Sequence, residues 1–280
     1  MADDDQTNVV ILLNDDKSLD HKYKYNRYCK NYIQTLSVNR IKYVFTIQPN
    51  LNEYTWLRYL DCSDCGLVQL PDLSSCQFLE VLQCSFNELT ILPYLGNCTL
   101  LKKLICCYNR LIKLPCLSKC TLLEIVDCSN NNITHLPDFG NCINLIKLWC
   151  GFNDLVTLPD LTNCKLQQFC CSNNMIGIIS QFNGTNLMYF NCSNNNLFSL
   201  PYMGCYSRLK IFFCNNNPSL LNIFGFVKLN LTTFQCDNSC NYFLQDISQQ
   251  SNLAGKTKFI KFIPKTLNYS TEEKKRRTSY

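Results

Sequence analysis

The chain has 280 residues, is 46% hydrophobic and carries a formal net charge of +5. That hydrophobic share supplies a packed core and excludes wholesale disorder, while only 9 glycines and 9 prolines exclude a collagen-like or linker composition. Its 21 cysteines are the anomaly, because such density marks disulfide-stapled secreted folds that are usually far shorter.

The opening residues, Met1-Ala2-Asp3-Asp4-Asp5, are acidic where a secretory leader is basic, and the apolar run Val9 to Leu13 is too short for its hydrophobic region. No stretch approaches the roughly 18 apolar residues of a membrane span. These features predict an intracellular setting, cytoplasmic or nuclear, in which most thiols stay reduced. Residues 1–56 do not share the pattern that follows. His21 to Tyr32 is rich in Tyr, Lys and Asn, and Ile41-Lys42-Tyr43-Val44-Phe45 alternates weakly, as a strand does. The segment reads as an N-terminal cap or a degenerate first repeat.

From Leu57 a period takes over. Cys62, Cys84, Cys106, Cys128 and Cys150 are spaced by 22, Cys171 and Cys192 follow at 21, and Cys214 and Cys236 at 22. A second series, Cys76, Cys98, Cys120, Cys142 and Cys164, also recurs every 22 residues. One unit reads Leu79-x-x-Leu82-x-Cys84-x-x-Asn87-x-Leu89-x-x-Leu92-Pro93-x-Leu95-x-x-Cys98, and the next repeats it from Leu101 to Cys120. Redox and metal motifs do not recur at a fixed period, so a repeated structural slot explains the thiols. This pattern resembles the leucine-rich-repeat family over residues 57–244, about nine units, with Cys at two slots that are often Leu. The strand-slot cysteine is similar to that of some bacterial internalins, and short Asn- and Cys-rich repeats are similar to those of large DNA viruses. The resemblance implies an α/β-class leucine-rich-repeat solenoid. Its parallel sheet would line the concave face of a curved right-handed coil, with a mostly irregular or 3-10 convex side.

The physics of the unit agrees. The second Leu and the Cys are two residues apart, so both face the interior of a short strand. The Asn column (Asn87, Asn109, Asn131, Asn153, Asn174, Asn195 and Asn217) falls where the chain must turn, and a buried amide there satisfies backbone groups that would otherwise lack partners. Leu-Pro then opens an extended return, since proline fixes φ and removes a donor. Departures mark the ends: Cys65 and Ser239 stand in the Asn slot of the first and ninth units, Ile179-Ser180 replaces Leu-Pro in the sixth, and Pro218 follows Asn217 in the eighth.

The ladder cysteines fill a narrow interior slot as small hydrophobes. Cys62-Ser63-Asp64-Cys65 has C-x-x-C spacing, but no second pair follows at finger distance, so no metal and no cofactor are expected. Cys107 and Cys170 neighbour inward thiols and are expected to point outward. His21 and His135 have no nucleophile or carboxylate partner dictated by spacing, and hydrolase and nucleotide-binding signatures are missing, so the chain is read as no enzyme. The strand residues between inward positions face solvent. One such slot reads Asp61, Gln83, Ile105, Asp127, Trp149, Cys170, and another Asp64, Phe86, Tyr108, Asn130, Phe152, Asn173. Phe86, Ile105, Tyr108, Trp149 and Phe152 are therefore the candidate contact surface for a protein partner. Asp127 and Asn130 interrupt it.

Residues 245–280 read as a C-terminal cap and tail. From Lys256 onward eight basic residues face Glu272 and Glu273, a balance of +6 that leaves the rest near −1. Lys274-Lys275-Arg276-Arg277 has the composition of a nuclear address or nucleic-acid contact. Three readings stay open at this level: an intracellular protein-interaction scaffold, a surface adhesin of the internalin kind, and a nucleic-acid-associated protein acting through the tail.

Overall fold

The computed structural model describes residues 10–12, 35–37, 51, 54–225, 229–237 and 258–259. They form one all-parallel sheet whose strands follow chain order. The strands are β1 (Val10–Leu12), β2 (Thr35–Ser37), β3 (Tyr59–Asp61), β4 (Val81–Gln83), β5 (Lys103–Ile105), β6 (Ile125–Asp127), β7 (Lys147–Trp149), β8 (Gln168–Cys170), β9 (Tyr189–Asn191), β10 (Ile211–Phe213), β11 (Thr233–Gln235) and β12 (Lys258–Phe259). The sheet continues to β1 and β2 ahead of the regular repeats, with Leu36 paired to Leu60. Ile41 to Phe45, His21 and the tail from Lys274 to Arg277 lie outside the described residues.

Each strand of the regular repeats has a buried central residue flanked by more accessible ones, as the period of two demands. The central column runs Leu60, Leu82, Leu104, Val126, Leu148, Phe169, Phe190, Phe212, Phe234, all in register and all buried. The ladder cysteine closes the strand one residue later, and its N–H donates to the next turn, as from Cys84 to the Ile105 carbonyl at 2.8 Å.

The turn after the strand depends on two adjacent residues. The first adopts the left-handed region in every unit from Asp64 to Asn216, with φ between 53° and 58°. The second is the column asparagine, which the left-handed kink throws inward. Asn109 is typical: its Nδ2 donates to the carbonyls of Cys84, Cys106 and Cys107 at 2.9, 3.1 and 3.3 Å, and its Oδ1 accepts from Leu89 N–H at 3.1 Å. One amide thus joins two turns and leaves no buried side-chain polar atom among the described residues unpaired. In the first unit Cys65 occupies the slot, and its own N–H is received by Asn87 Oδ1 at 3.1 Å. At the far end Asp237 accepts Asn216 and Asn217 N–H, both at 2.7 Å, a carboxylate doing what the next backbone turn does elsewhere.

The return side is irregular, with one 3-10 turn, Met203–Cys205, named among the described residues. Cys76, Cys98, Cys120, Cys142 and Cys164 are wholly buried there. In the two turns that follow, Gly184 and Tyr206 take the equivalent turn position, each accepting the N–H of the Leu three residues on, as Cys142 does from Leu145. A Cβ on Gly184 would fall 1.8 Å from the Tyr206 ring, so the tyrosine fills the space that the glycine vacates. Phe169, Phe190, Phe212 and Phe234 stack at 5.4, 5.4 and 5.6 Å, with Phe182 edge-on to the first two. The central strand column therefore changes from aliphatic to stacked aromatic side chains at the sixth turn, while the strand-side thiols continue.

Truncating one column amide leaves several buried backbone groups without partners. Asn131→Ala is expected to lower unfolding free energy by about 3 kcal/mol, checked by urea denaturation. Asn131→Asp, which keeps the acceptor and loses the donors, is expected to be at least as harmful.

Candidate functional site

The face of the sheet opposite the core carries the variable side chains. Phe86, Trp149 and Phe152 are 53%, 36% and 44% exposed, whereas Ile105 and Tyr108 are half-buried. The structure gathers them into two groups. Phe86 and Tyr108 stack at 4.5 Å with planes 10° apart. Trp149 and Phe152 line a separate groove of about 620 Å³ across β7 to β10. Turn four separates the two groups, with Asp127 paired between Ile105 and Trp149.

Asp127, expected at solvent, is a correction: it is buried, and its Oδ1 accepts Ser129 N–H at 3.1 Å and Ser129 Oγ–H at 2.6 Å. Asp61 is likewise buried, its Oδ1 accepting Ser63 N–H at 3.0 Å. A short carboxylate two residues before a backbone N–H closes a local turn instead of reaching water.

The groove extends beyond the residues that the pattern singled out. Met188, Tyr189, Lys210 and Ile211 line it with Trp149 and Phe152. Tyr189 and Ile211 occupy the strand position three before the ladder cysteine, which strand alternation places on the same face as the position one before it. That alternation was the available signal. The floor is opened by Gly151, which takes a slot held by Ser85, Cys107, Ser129, Ser172 and Ser193 in other turns. A Cβ there would come within 3.1 Å of the Ser172 carbonyl.

The thiols divide by environment. Cys107 is a second correction: it is buried at 8% exposure, and its Sγ lies 3.1 Å from Ser85 Oγ, because its slot faces the neighbouring turn and not solvent. Burial pushes its pKa up to about 11. Cys170 is half-buried at the groove, and burial raises its thiol as well. Burial likewise lifts Cys76, Cys98 and Cys142 to about 11, 12 and 12, with neighbouring thiols adding to the rise at Cys98 and Cys142. The first-ladder thiols point at carbonyls of the next turn, as Cys150 does at 3.4 Å from Cys170 O. Among the described residues the exposed thiols are Cys116 and Cys205, on the return side. Hydrogen bonds from the Ser118 side chain and N–H hold Cys116 below the ordinary thiol range. Nothing in the repeat pattern marked these two.

Among the described residues no group of three His, Cys, Asp or Glu is placed to hold a metal ion. Cys62 and Cys65 are buried, and the Cys65 thiol donates to Ser63 O at 3.2 Å. His135 lies on the return side beside Thr134, its Nδ1 3.1 Å from the hydroxyl. No helix among the described residues is long and apolar enough to cross a membrane.

The parallel in-register sheet, the buried asparagine column and the irregular return define a leucine-rich-repeat solenoid. Two solved structures share the fold at a TM-score of 0.50 or above. YopM from Yersinia enterocolitica superposes with a TM-score of 0.51 at 23% identity, over 75% of this chain and 46% of that one. The APL1 leucine-rich repeat domain superposes at 0.50 and 20% identity, over 76% and 67% of the two chains. The functional domain of InlJ from Listeria monocytogenes, which includes a cysteine ladder, gives 0.49 at 23% identity over 74% and 55%. The chain thus spans about half the length of the YopM and InlJ chains. No family model and no curated protein matches the sequence.

Two predictions follow from the thiols. In the native protein at pH 8, iodoacetamide is expected to label Cys116 and Cys205 rapidly and the ladder cysteines only on unfolding, read by peptide mass spectrometry. Unfolded thiols ionise from about pH 8.5 while the buried ones hold their protons to about 11–12. The unfolded state therefore binds fewer protons across that window, and stability is expected to be full below pH 8 and to fall from there up to about pH 12, measured as the urea midpoint against pH.

Proposed function

We propose that the chain is a non-catalytic scaffold that binds a protein partner on the concave face of its sheet, with Trp149 and Phe152 at the centre of the contact. One observation carries the reading. Phe86, Tyr108 and Phe152 hold φ of 58°, 53° and 55° at a turn position that five other units give to Asp or Asn. Asp and Asn tolerate the left-handed region, whereas a bulky aromatic there is strained by about 1 kcal/mol. Phe86 and Tyr108 regain part of that by stacking on each other. No ring among the described residues stacks on Phe152, so no ring stacking offsets its strain. Strain without such an offset belongs to sites of function. Trp and Tyr, both present in the groove, dominate binding hot spots.

The groove's thiol, Cys170, neighbours Ser172 Oγ at 3.4 Å. None of the nineteen described cysteines is joined in a disulfide, the state that a reducing compartment would keep. The adhesin and tail-directed readings have no comparable observation behind them.

Trp149→Ala and Phe152→Ala are each expected to abolish capture of the partner from native cells while the far-ultraviolet circular dichroism and melting temperature hold. Unchanged capture in both would sink the proposal. Phe152→Asn is expected to stabilise the fold by about 1 kcal/mol and still weaken capture, because it relieves the strain and removes the contact.

A further inference from the structure

Three cations of the first turns are ion-paired, whereas Lys103 on β5, Lys147 on β7 and Lys210 before β10 have no carboxylate partner among the described residues. Arg58 and Lys102 both reach Glu80, at 2.8 and 2.6 Å, and Arg110 reaches Glu88 at 3.3 Å. Lys147 Nζ stands 5.8 Å from the Trp149 ring centre, and Lys210 Nζ donates to the Asn230 carbonyl at 3.4 Å. The carboxylates on the neighbouring turn are Glu124, beside β6, and Asp127, which Ser129 engages. Lys147 lies on β7 and Lys210 immediately before β10, three strands on. At about 4.8 Å per strand their backbone positions are about 14 Å apart, on either side of the apolar floor.

We infer that the groove takes an acidic segment of a protein partner, with one apolar side chain seated against Trp149 over Gly151 and a carboxylate on each side for Lys147 and Lys210. This rests on the concave-face reading above and gives the partner its chemistry. An extended chain advances about 3.4 Å per residue, so two carboxylates about 14 Å apart are four residues apart. In an extended chain the residues at i, i+2 and i+4 point to one side, so acid, apolar anchor and acid all face the groove. The segment lies across the strands, along the solenoid axis. Docking removes water from both lysines, so an uncharged or basic segment leaves them unpaired and is rejected.

The test is a random dodecapeptide library displayed on phage and panned on the full chain and on the Lys147→Glu/Lys210→Glu double variant. The wild-type chain is expected to enrich an apolar residue bracketed by Asp or Glu at a separation of four. The strongest synthetic peptide should lose affinity about tenfold or more in the double variant, by an amount that shrinks at high salt. The variant should instead enrich Lys and Arg around the anchor, with its fold checked by circular dichroism because Lys147 is half-buried beside Trp149. No enrichment, enrichment without the acidic pair, or equal affinity in the variant overturns the inference. Peptides that require Trp149 but ignore both lysines overturn it and leave the concave-face reading intact, whereas peptides indifferent to Trp149→Ala count against both. An oligothymidylate that displaces the peptide and binds more tightly through the same two lysines reassigns the groove to nucleic acid.

Discussion

The solenoid depends on one buried amide per turn. A chain that leaves a strand and folds back under its neighbour carries carbonyls and N–H groups into the interior, where water cannot reach them. The column asparagine meets that demand from a single side chain, as Asn87 does with Cys62, Cys84 and Ser85 carbonyls and with Cys65 and Leu67 N–H. No other side chain of that size offers two donors and two acceptor sites at once. The bonds reach the previous turn as well as its own, so each amide fixes the register of the next strand. The left-handed residue before it is the geometric condition for the amide to point inward. Aspartate at the last turn shows the same demand met with a carboxylate once no further backbone follows in register.

With the backbone satisfied, the interior slots are free to vary by volume. Thiols fill the return-side slots through the fifth turn and the strand-side slots on to Cys214, where burial keeps them protonated. At the sixth turn the repeat shortens to 21 residues, and phenylalanines take the central strand column. The groove spans this change, from the last leucine strand, β7, to the aromatic strands β8 to β10. Core and surface thus change character within a turn of each other. The first turns carry a ladder of paired charge, Arg58, Glu80 and Lys102, while Ile146, Gln167 and Met188 hold that position further along.

Function in this reading sits where the repeat departs from its own rule. Asp or Asn in the left-handed slot is the relaxed choice, and three turns decline it for an aromatic. Gly151, in a column mostly of serine, is a departure of the same kind. A scaffold made of many equivalent turns tolerates such local losses, because each turn is held by its own amide and its neighbours.

The two cysteine ladders, the asparagine column and the Leu-Pro returns were legible in the sequence because identical residues at a fixed spacing report one repeated environment. That spacing alone determined the parallel in-register sheet, the inward thiols and the near absence of helix on the return. It also named Trp149, since alternation about an inward cysteine puts it outside, while Phe152, two past that cysteine, is turned outward by its left-handed backbone. Only the tertiary structure decided which outward residues form one site. Cys107 and Asp127 looked exposed by alternation, yet one packs against Ser85 of the turn before and the other folds back on Ser129, and no period encodes that choice. Tyr189, Lys210 and Ile211 joined Trp149 because stacking brings residues some forty to sixty positions away to within a few strands of it. The separation of the Phe86–Tyr108 stack from the groove has the same origin: what lies between them is a single turn whose aspartate satisfies its own backbone.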